Sequence, residues 1–194
     1  NKKRGHIFQV LTKRPERMQR ALGPQGFGWY AVEGNVPHPE PGIWLGVSVE
    51  NQKWAERRIP LLLETPAAVH FVSYEPALEV VDFTPWLVDQ EARPKPNWII
   101  VGGESGPKAR PFELAWARQT LAQCRAAGVP VFVKQLGTLW AESHRRLLGV
   151  GPNIFDYKGG NMDAWPEDLQ VREWPLEASA LVSSQLRGHM LSSS

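Results

Sequence analysis

The chain has 194 residues, enough for one domain that removes about 70% of its unfolded surface from water. With 42% hydrophobic and 22% charged residues it reads as globular, and a net charge of +2 is too mild to argue for nucleic acid by itself. Its single cysteine, Cys124, excludes an internal disulfide and any thiolate cluster made by this chain alone. No run reaches the roughly 20 apolar residues of a membrane span and no signal-peptide pattern is visible, so a cytoplasmic protein without membrane contact is expected.

Five short apolar runs punctuate the sequence. "HIFQVLTK" (6–13) is the first predicted strand. "PERMQRAL" (15–22) is a predicted helix, opened by proline at a first helical position and stopped at Gly23. Residues 23–42 are rich in glycine and proline and read as a long loop or insertion. The second strand, "IWLGVSVE" (43–50), leads into the helix "QKWAERRIPLLLE" (52–64), in which Pro60 is expected to kink or end the first part. A third strand, "VHFVSYEP" (69–76), precedes a shorter loop at 84–96. The fourth strand, "NWIIVGGES" (97–105), is followed by the strongest helical pattern, "PFELAWARQTLAQCRAAG" (111–128). There Leu114, Ala117, Leu121 and Cys124 recur at three- and four-residue steps, and Gly128 ends the run.

The fifth strand is "VPVFVKQLG" (129–137). Strands alternating with helices predict parallel pairing through right-handed crossovers, hence an α/β sheet or barrel. From Thr138 the alternation stops, so 138–177 is read as an irregular or short-strand appendage and the Ser-rich stretch 178–194 as a frayed tail.

Side chains alternate across a strand, which splits each run into two faces. Trp44, Gly46, Ser48 and Glu50 share one face, opposite Leu45, Val47 and Val49. Phe71, Ser73 and Glu75 oppose His70, Val72 and Tyr74, while Trp98, Ile100, Gly102 and Glu104 oppose Ile99, Val101, Gly103 and Ser105. In the outer runs Lys13 and Lys134 end the matching faces. One face of every strand thus becomes polar toward its C-terminal end, where parallel α/β proteins bind ligands. The predicted rim is Lys13, Glu50, Glu75, Glu104 and Lys134, with Ser48 and Ser73 one step deeper.

The glycines of "VGGESGP" (101–107) fit that rim. Gly102 and Gly103 allow close backbone approach or positive φ. The N–H groups of Gly103, Ser105 and Gly106 are candidates for an anion cradle; the bland alternative is a tight turn closed by a Lys–Glu lattice. Cys124 lies on the apolar stripe of its helix and reads as core, and His6 and His70 flank strand starts and read as structural. His144, beside Arg145 and Arg146, reads as part of a solvated basic turn. No H-x-x-H, C-x-x-C, Walker A or G-x-S-x-G pattern occurs.

Five ordered motifs carry a resemblance: "HIFQVLTKRPERM", "IWLGVSVENQ", "FVSYEPALEVVDF", "WIIVGGESGPKARPFELAWARQTLAQCRAAGVPVFVKQLG" and "YKGGNMDAWPEDLQVREWP". Together they resemble an uncharacterised family of phage and bacterial proteins over most of residues 6–175; segment 23–42 and "LWAESHRRLLGV" depart from the pattern. Full-length members of that family resemble radical S-adenosylmethionine enzymes, with a partial TIM-type (β/α) barrel preceded by a cysteine cluster able to hold an iron–sulfur centre.

The resemblance implies that this chain is the C-terminal part of such a barrel, with about five mainly parallel strands, helices outside, and residues 1–137 forming the barrel portion. It implies an iron–sulfur cluster and S-adenosylmethionine in the full-length protein and neither bound by this chain alone, since ligation of a cluster needs several thiolates. The "GGE" at 102–104 is similar to a motif that holds the amino group of that cofactor, but here it follows a late strand instead of an early one.

Three functions follow as expectations. The first is the substrate side of a radical-type enzyme. The second is a non-radical barrel holding a phosphorylated or nucleotide ligand through the Gly-rich turn and the two lysines. The third is a nucleic-acid or partner-binding module using Arg145, Arg146, Lys158, Arg172 and exposed tryptophans.

Overall fold

The computed structural model describes residues 6–23, 30–33, 36–88, 94–148 and 156–175. In chain order the elements are β1 (Phe8–Thr12), α1 (Pro15–Leu22), β2 (Tyr30–Glu33), β3 (Val36–Pro39), β4 (Ile43–Ser48), α2 (Gln52–Leu63), β5 (Val69–Tyr74), α3 (Thr84–Leu87), β6 (Trp98–Gly102), α4 (Leu114–Ala126), β7 (Val131–Gln135) and α5 (Thr138–Leu148). Five strands form a single sheet in the order β1-β4-β5-β6-β7, every pair parallel. The sheet is not closed, and helices connect its successive strands: the architecture is α/β, in agreement with a partial (β/α) barrel.

The alternation of each strand decides what it packs against. Leu45, Val47, Val72, Tyr74, Ile99, Val101, Val131 and Val133 join Ala55, Ile59 and Leu62 of α2 and Ala117, Leu121 and Cys124 of α4 in the main core. That is the helix-covered face. The opposite face holds a second, aromatic cluster of Trp44, Val69, Phe71, Trp98 and Ile100, with Phe132 against it. Trp98 is its centre, with ring centroids 6.1 Å from both Trp44 and Phe71 and 5.0 Å from Trp174, on which it stacks. Gly46 is glycine because Phe71 lies over it: a Cβ there would stand 2.3 Å from the ring. The two faces therefore split as their sequence alternation predicts.

The two edges of the sheet differ. Along β7, Val133 N–H donates to the Val171 carbonyl, Glu173 N–H to Val131, Leu136 N–H to Gly159 and Gly137 N–H to Lys158. Trp98 Nε1 adds a bond to the Glu173 carbonyl. Residues 156–175, irregular apart from two short 3₁₀ turns, thus cap that edge. At the other edge, among the described residues, β1 pairs only with β4, and Ile7, Phe8, Val10 and Leu11 are exposed.

Three expectations are corrected, and of the two outcomes expected at Pro60 the ending of the helix does not occur. The loop read at 23–42 contains an antiparallel hairpin, β2 with β3, Tyr30 opposite Pro39 and Glu33 opposite Val36; prolines are tolerated there because, among the described residues, each strand is paired along one edge only. Residues 24–29 and 34–35 lie outside the described part. The stretch 84–96 opens with the short helix α3, with Pro85 in its first turn, while 89–93 lie outside the description.

Helix α2 runs through Pro60 without ending, held by Ile59 and Leu62, both fully buried against the sheet. The strand–helix rhythm continues past Thr138 as α5: Gly137, at φ 89°, turns the chain out of β7, and Ser143 Oγ donates to the Leu139 carbonyl at 2.8 Å within the helix. Residues 176–194, including the Ser-rich tail, lie outside the described part. No helix among the described residues is long and apolar enough to cross a membrane.

Candidate functional site

All charged residues of the predicted rim are found at the C-terminal ends of the parallel strands, beyond the aromatic cluster. Lys13 follows β1, Glu50 follows β4, Glu75 follows β5, Glu104 follows β6 and Lys134 lies in β7. Beneath them Ser48 and Ser73 sit opposite each other in the β4–β5 register, both buried. Between β6 and β7 the register slips by one residue: Val101 pairs with Val133, but Gly102 pairs with Gln135, leaving Lys134 without a partner across the ladder. Such an irregularity re-aims a side chain, and Lys134 turns toward Glu75.

The rim is organised as three ion-paired groups. Glu50 accepts from Lys13 Nζ at 2.5 Å through Oε1 and from Arg58 Nη1 at 2.9 Å through Oε2. Arg58 reaches up from α2, also donates to the Ser48 carbonyl at 2.8 Å, and lies 4.0 Å over the Trp54 ring. In the second group Glu75 accepts from Ser73 Oγ at 3.2 Å and pairs with Lys134 Nζ at 3.3 Å. Its carboxylate lies over Gly102, where a Cβ would stand 2.9 Å from Oε1. That contact, not a turn, is why glycine suits position 102.

Glu104 forms the third group. It takes three bonds from Arg110, each 2.8 Å: the backbone N–H, Nε and Nη2. These hydrogen bonds hold its carboxyl well below the usual value of 4.5, at about 2, with Lys13 adding a weaker pull in the same direction. Lys13 follows β1 and Glu104 follows β6, so the Lys13–Glu50 and Glu104–Arg110 pairs sense one another across the rim.

Of the three N–H groups expected to form an anion cradle at the Gly-rich turn, those of Gly103 and Gly106 are already bonded within the protein. Gly103 N–H donates to the Gln135 carbonyl at 2.9 Å and Gly106 N–H to Thr138 Oγ1 at 3.0 Å. Both donors are committed to binding β7 and α5 to the loop. Gly103 is needed because a Cβ would come within 2.5 Å of the Leu136 carbonyl oxygen. Ser105 is exposed and makes no side-chain hydrogen bond among the described residues. The stretch 101–107 is therefore a seam between β6 and β7 that delivers Glu104 to the rim.

Other singled-out residues are placed as follows. Cys124 is buried in the core, and burial pushes its thiol up to about 12, which removes it as a ready thiolate. His70 Nε2 lies 2.7 Å from the Thr65 carbonyl, and burial lowers its pKa. His144 stacks on Trp140 at 4.7 Å. Arg172 is tied to the carbonyls of Lys134 and Gly160 at 3.2 and 3.0 Å and lies over Phe132 and Trp165. The Arg146 side chain lies outside the described part. Among the described residues no group of three or more His, Cys, Asp or Glu is arranged to hold a metal ion.

Two rim residues escaped the sequence reading, Arg58 and Arg110. Arg58 had a signal: it interrupts the buried stripe Ala55, Ile59, Leu62 of α2, so its charge had to meet a partner. Arg110 lies in an irregular loop six residues from Glu104, where spacing predicts no contact.

No curated protein and no solved structure matches the chain. One family model does, over residues 1–185. The chain belongs to that family, described as Protein of unknown function (DUF5131).

Proposed function

We propose that the rim at the C-terminal strand ends binds a small polar ligand and that the chain forms the substrate-positioning part of a β/α-barrel enzyme. The observation that carries this reading is the meeting of Lys13, Glu50, Glu75, Glu104 and Lys134, from five parallel strands, above the paired serines Ser48 and Ser73. Folding does not require charged side chains on every strand at that end. Parallel sheets generally place their ligands there.

Ser48 and Ser73, both buried, place two hydroxyls beneath the rim, and that of Ser73 donates to Glu75. Gly102, bare of a side chain, keeps the floor beside Glu75 low. The chemistry such a site supplies is orientation and electrostatic tuning of a reactant.

The family resemblance adds a finer reading, in which this part belongs to a radical S-adenosylmethionine enzyme. The residues present do not fit an iron–sulfur cluster: Cys124 is the only cysteine and its thiol is buried. On this reading the cluster would be held by residues outside this sequence, while the rim faces the substrate. The exposure of Phe8, Val10 and Leu11 of β1 among the described residues favours it, since parallel strands are ordinarily covered on both faces. The nucleic-acid reading has less support, because Arg172 is committed to backbone carbonyls and Trp165 is buried.

The test is backbone NMR with a panel of small polar compounds comprising a polyol, an amino acid, inorganic phosphate, a diamine and S-adenosylmethionine. At least one is expected to shift the amides of Ser48, Ser73 and Gly102, and to lose that effect in Glu75→Gln. Absence of any shift at these residues across the panel would remove the ligand site.

A further inference from the structure

The charges of the rim are layered. The three carboxylates lie deep, with side-chain exposures of 10% for Glu50, 14% for Glu75 and 25% for Glu104. Their outer partners stand above them, Lys13 at 59%, Lys134 at 56% and Arg110 at 57% exposed. A molecule approaching from solvent therefore meets cations first. The acceptors beneath are already engaged: Glu50 by Lys13 and Arg58, Glu75 by Ser73 and Lys134, Glu104 by three donors of Arg110.

The outer donors have capacity left. A guanidinium carries five N–H groups and an ammonium three. Arg110 uses two side-chain N–H bonds on Glu104, through Nε and Nη2, and Lys13 pairs only with Glu50 among the described residues. With Arg58 included, four cations face three carboxylates, so the rim carries a net charge of +1 before any ligand arrives.

We infer that the ligand of this rim is a small polyanion, its negative groups held by the outer cations Lys13, Arg110 and Lys134. The inference rests on the reading of the rim as a ligand site and narrows it to one charge class. A cation would have to pass three positive groups to reach carboxylates that already accept two or three bonds each. A small polyanion needs no such rearrangement, because it binds the donors that the carboxylates leave over. Charge-assisted bonds of this kind suit phosphate and carboxylate groups alike. The carboxylates, less exposed than their partners, then act as supports that hold the cations in place.

The test uses isothermal titration of the 194-residue chain with inorganic pyrophosphate, with succinate to separate phosphate from carboxylate recognition and putrescine as the dication. Pyrophosphate or succinate is expected to bind saturably and to shift the amides of Ser48 and Gly102. Removal of one outer cation, in Lys13→Ala or Lys134→Ala, should weaken binding about tenfold, the effect of losing one charge-assisted hydrogen bond. Lys134→Arg should restore most of the loss. Arg118→Ala, which breaks an exposed pair with Asp168 elsewhere, should leave affinity unchanged.

Because the altered lysines are more than half exposed, circular dichroism and the melting temperature should show the variants folded. If putrescine or a neutral polyol binds at these amides and neither anion does, the rim is a ligand site of another class and this inference fails alone. If neither anion nor any other compound perturbs the rim, the site reading falls with it. Binding that Arg118→Ala weakens as much as Lys134→Ala is non-specific attraction and likewise overturns the inference.

Discussion

Replacing Glu50 by leucine separates a structural charge from a surface one. The same carboxylate meets two cations in very different surroundings. Toward Arg58 the pair is buried, with side-chain exposures of 7% and 10%, and among the described residues the guanidinium has the Ser48 carbonyl as its one other acceptor and its Nε has no partner. Glu50→Leu leaves that charge inside the protein without compensation, a change that costs about 3–5 kcal/mol.

Toward Lys13 the pair is short but exposed, and Lys13→Ala should cost less than about 1 kcal/mol. The double variant Glu50→Leu/Arg58→Met removes both buried charges and should return to within roughly 1–2 kcal/mol of the wild type, since well-packed apolar replacements of buried pairs are often close to neutral. Equilibrium denaturation in urea, followed by tryptophan fluorescence, measures all three. If Glu50→Leu costs no more than Lys13→Ala, or if the double variant is no more stable than the single one, Arg58 is not the buried partner that anchors the rim.

Other outcomes follow from the same geometry. Glu104 should titrate near pH 2 in the folded chain and closer to 4.5 in Arg110→Ala, read by carboxyl NMR. Its folded pKa is depressed, so the stability it contributes is present above about pH 4.5 and is lost as pH falls toward 2; acid unfolding of Arg110→Ala should lack that component. Cys124 should not react with a thiol reagent at pH 8 in the native protein and should react fully in guanidinium, because its thiol is buried and raised to about 12. Native reactivity would mean an open core. Gly46→Ala should destabilise by about 1–3 kcal/mol through overpacking against Phe71, whose ring is held by Trp98, and an unchanged urea midpoint would contradict that packing.

The buried strands were legible because a parallel strand covered on both faces needs apolar residues, and period two still separates the faces. Trp44, Phe71 and Trp98 on one side and Leu45, Val72 and Ile99 on the other follow from counting alone. The rim was legible for the same reason, as Glu50, Glu75 and Glu104 continue the Trp44, Phe71 and Trp98 faces. What counting cannot give is the partner of each charge. Arg110 reaches Glu104 through a loop, and Arg58 reaches Glu50 from a helix, neither with a fixed period.

The Gly-rich turn misled for a related reason. Glycine marks close backbone approach, but the sequence does not say to what; at Gly103 the neighbour is the end of β7, not a ligand. Likewise the capping of β7 by residues 156–175 depends on long-range backbone bonds to Gly159, Val171 and Glu173, which leave little trace in local composition.

Convergence of separate strands on one rim can be measured through a single titration. Lys13 and Glu104 follow β1 and β6, strands three spacings apart, or about 14 Å in a flat sheet, beyond the screening length of roughly 8 Å at physiological salt. In the structure Lys13 helps to hold the Glu104 carboxyl down. The Glu104 midpoint should therefore rise in Lys13→Ala, with Arg110 left in place and the fold intact. An identical midpoint in the two proteins would mean that these strand ends do not share a rim.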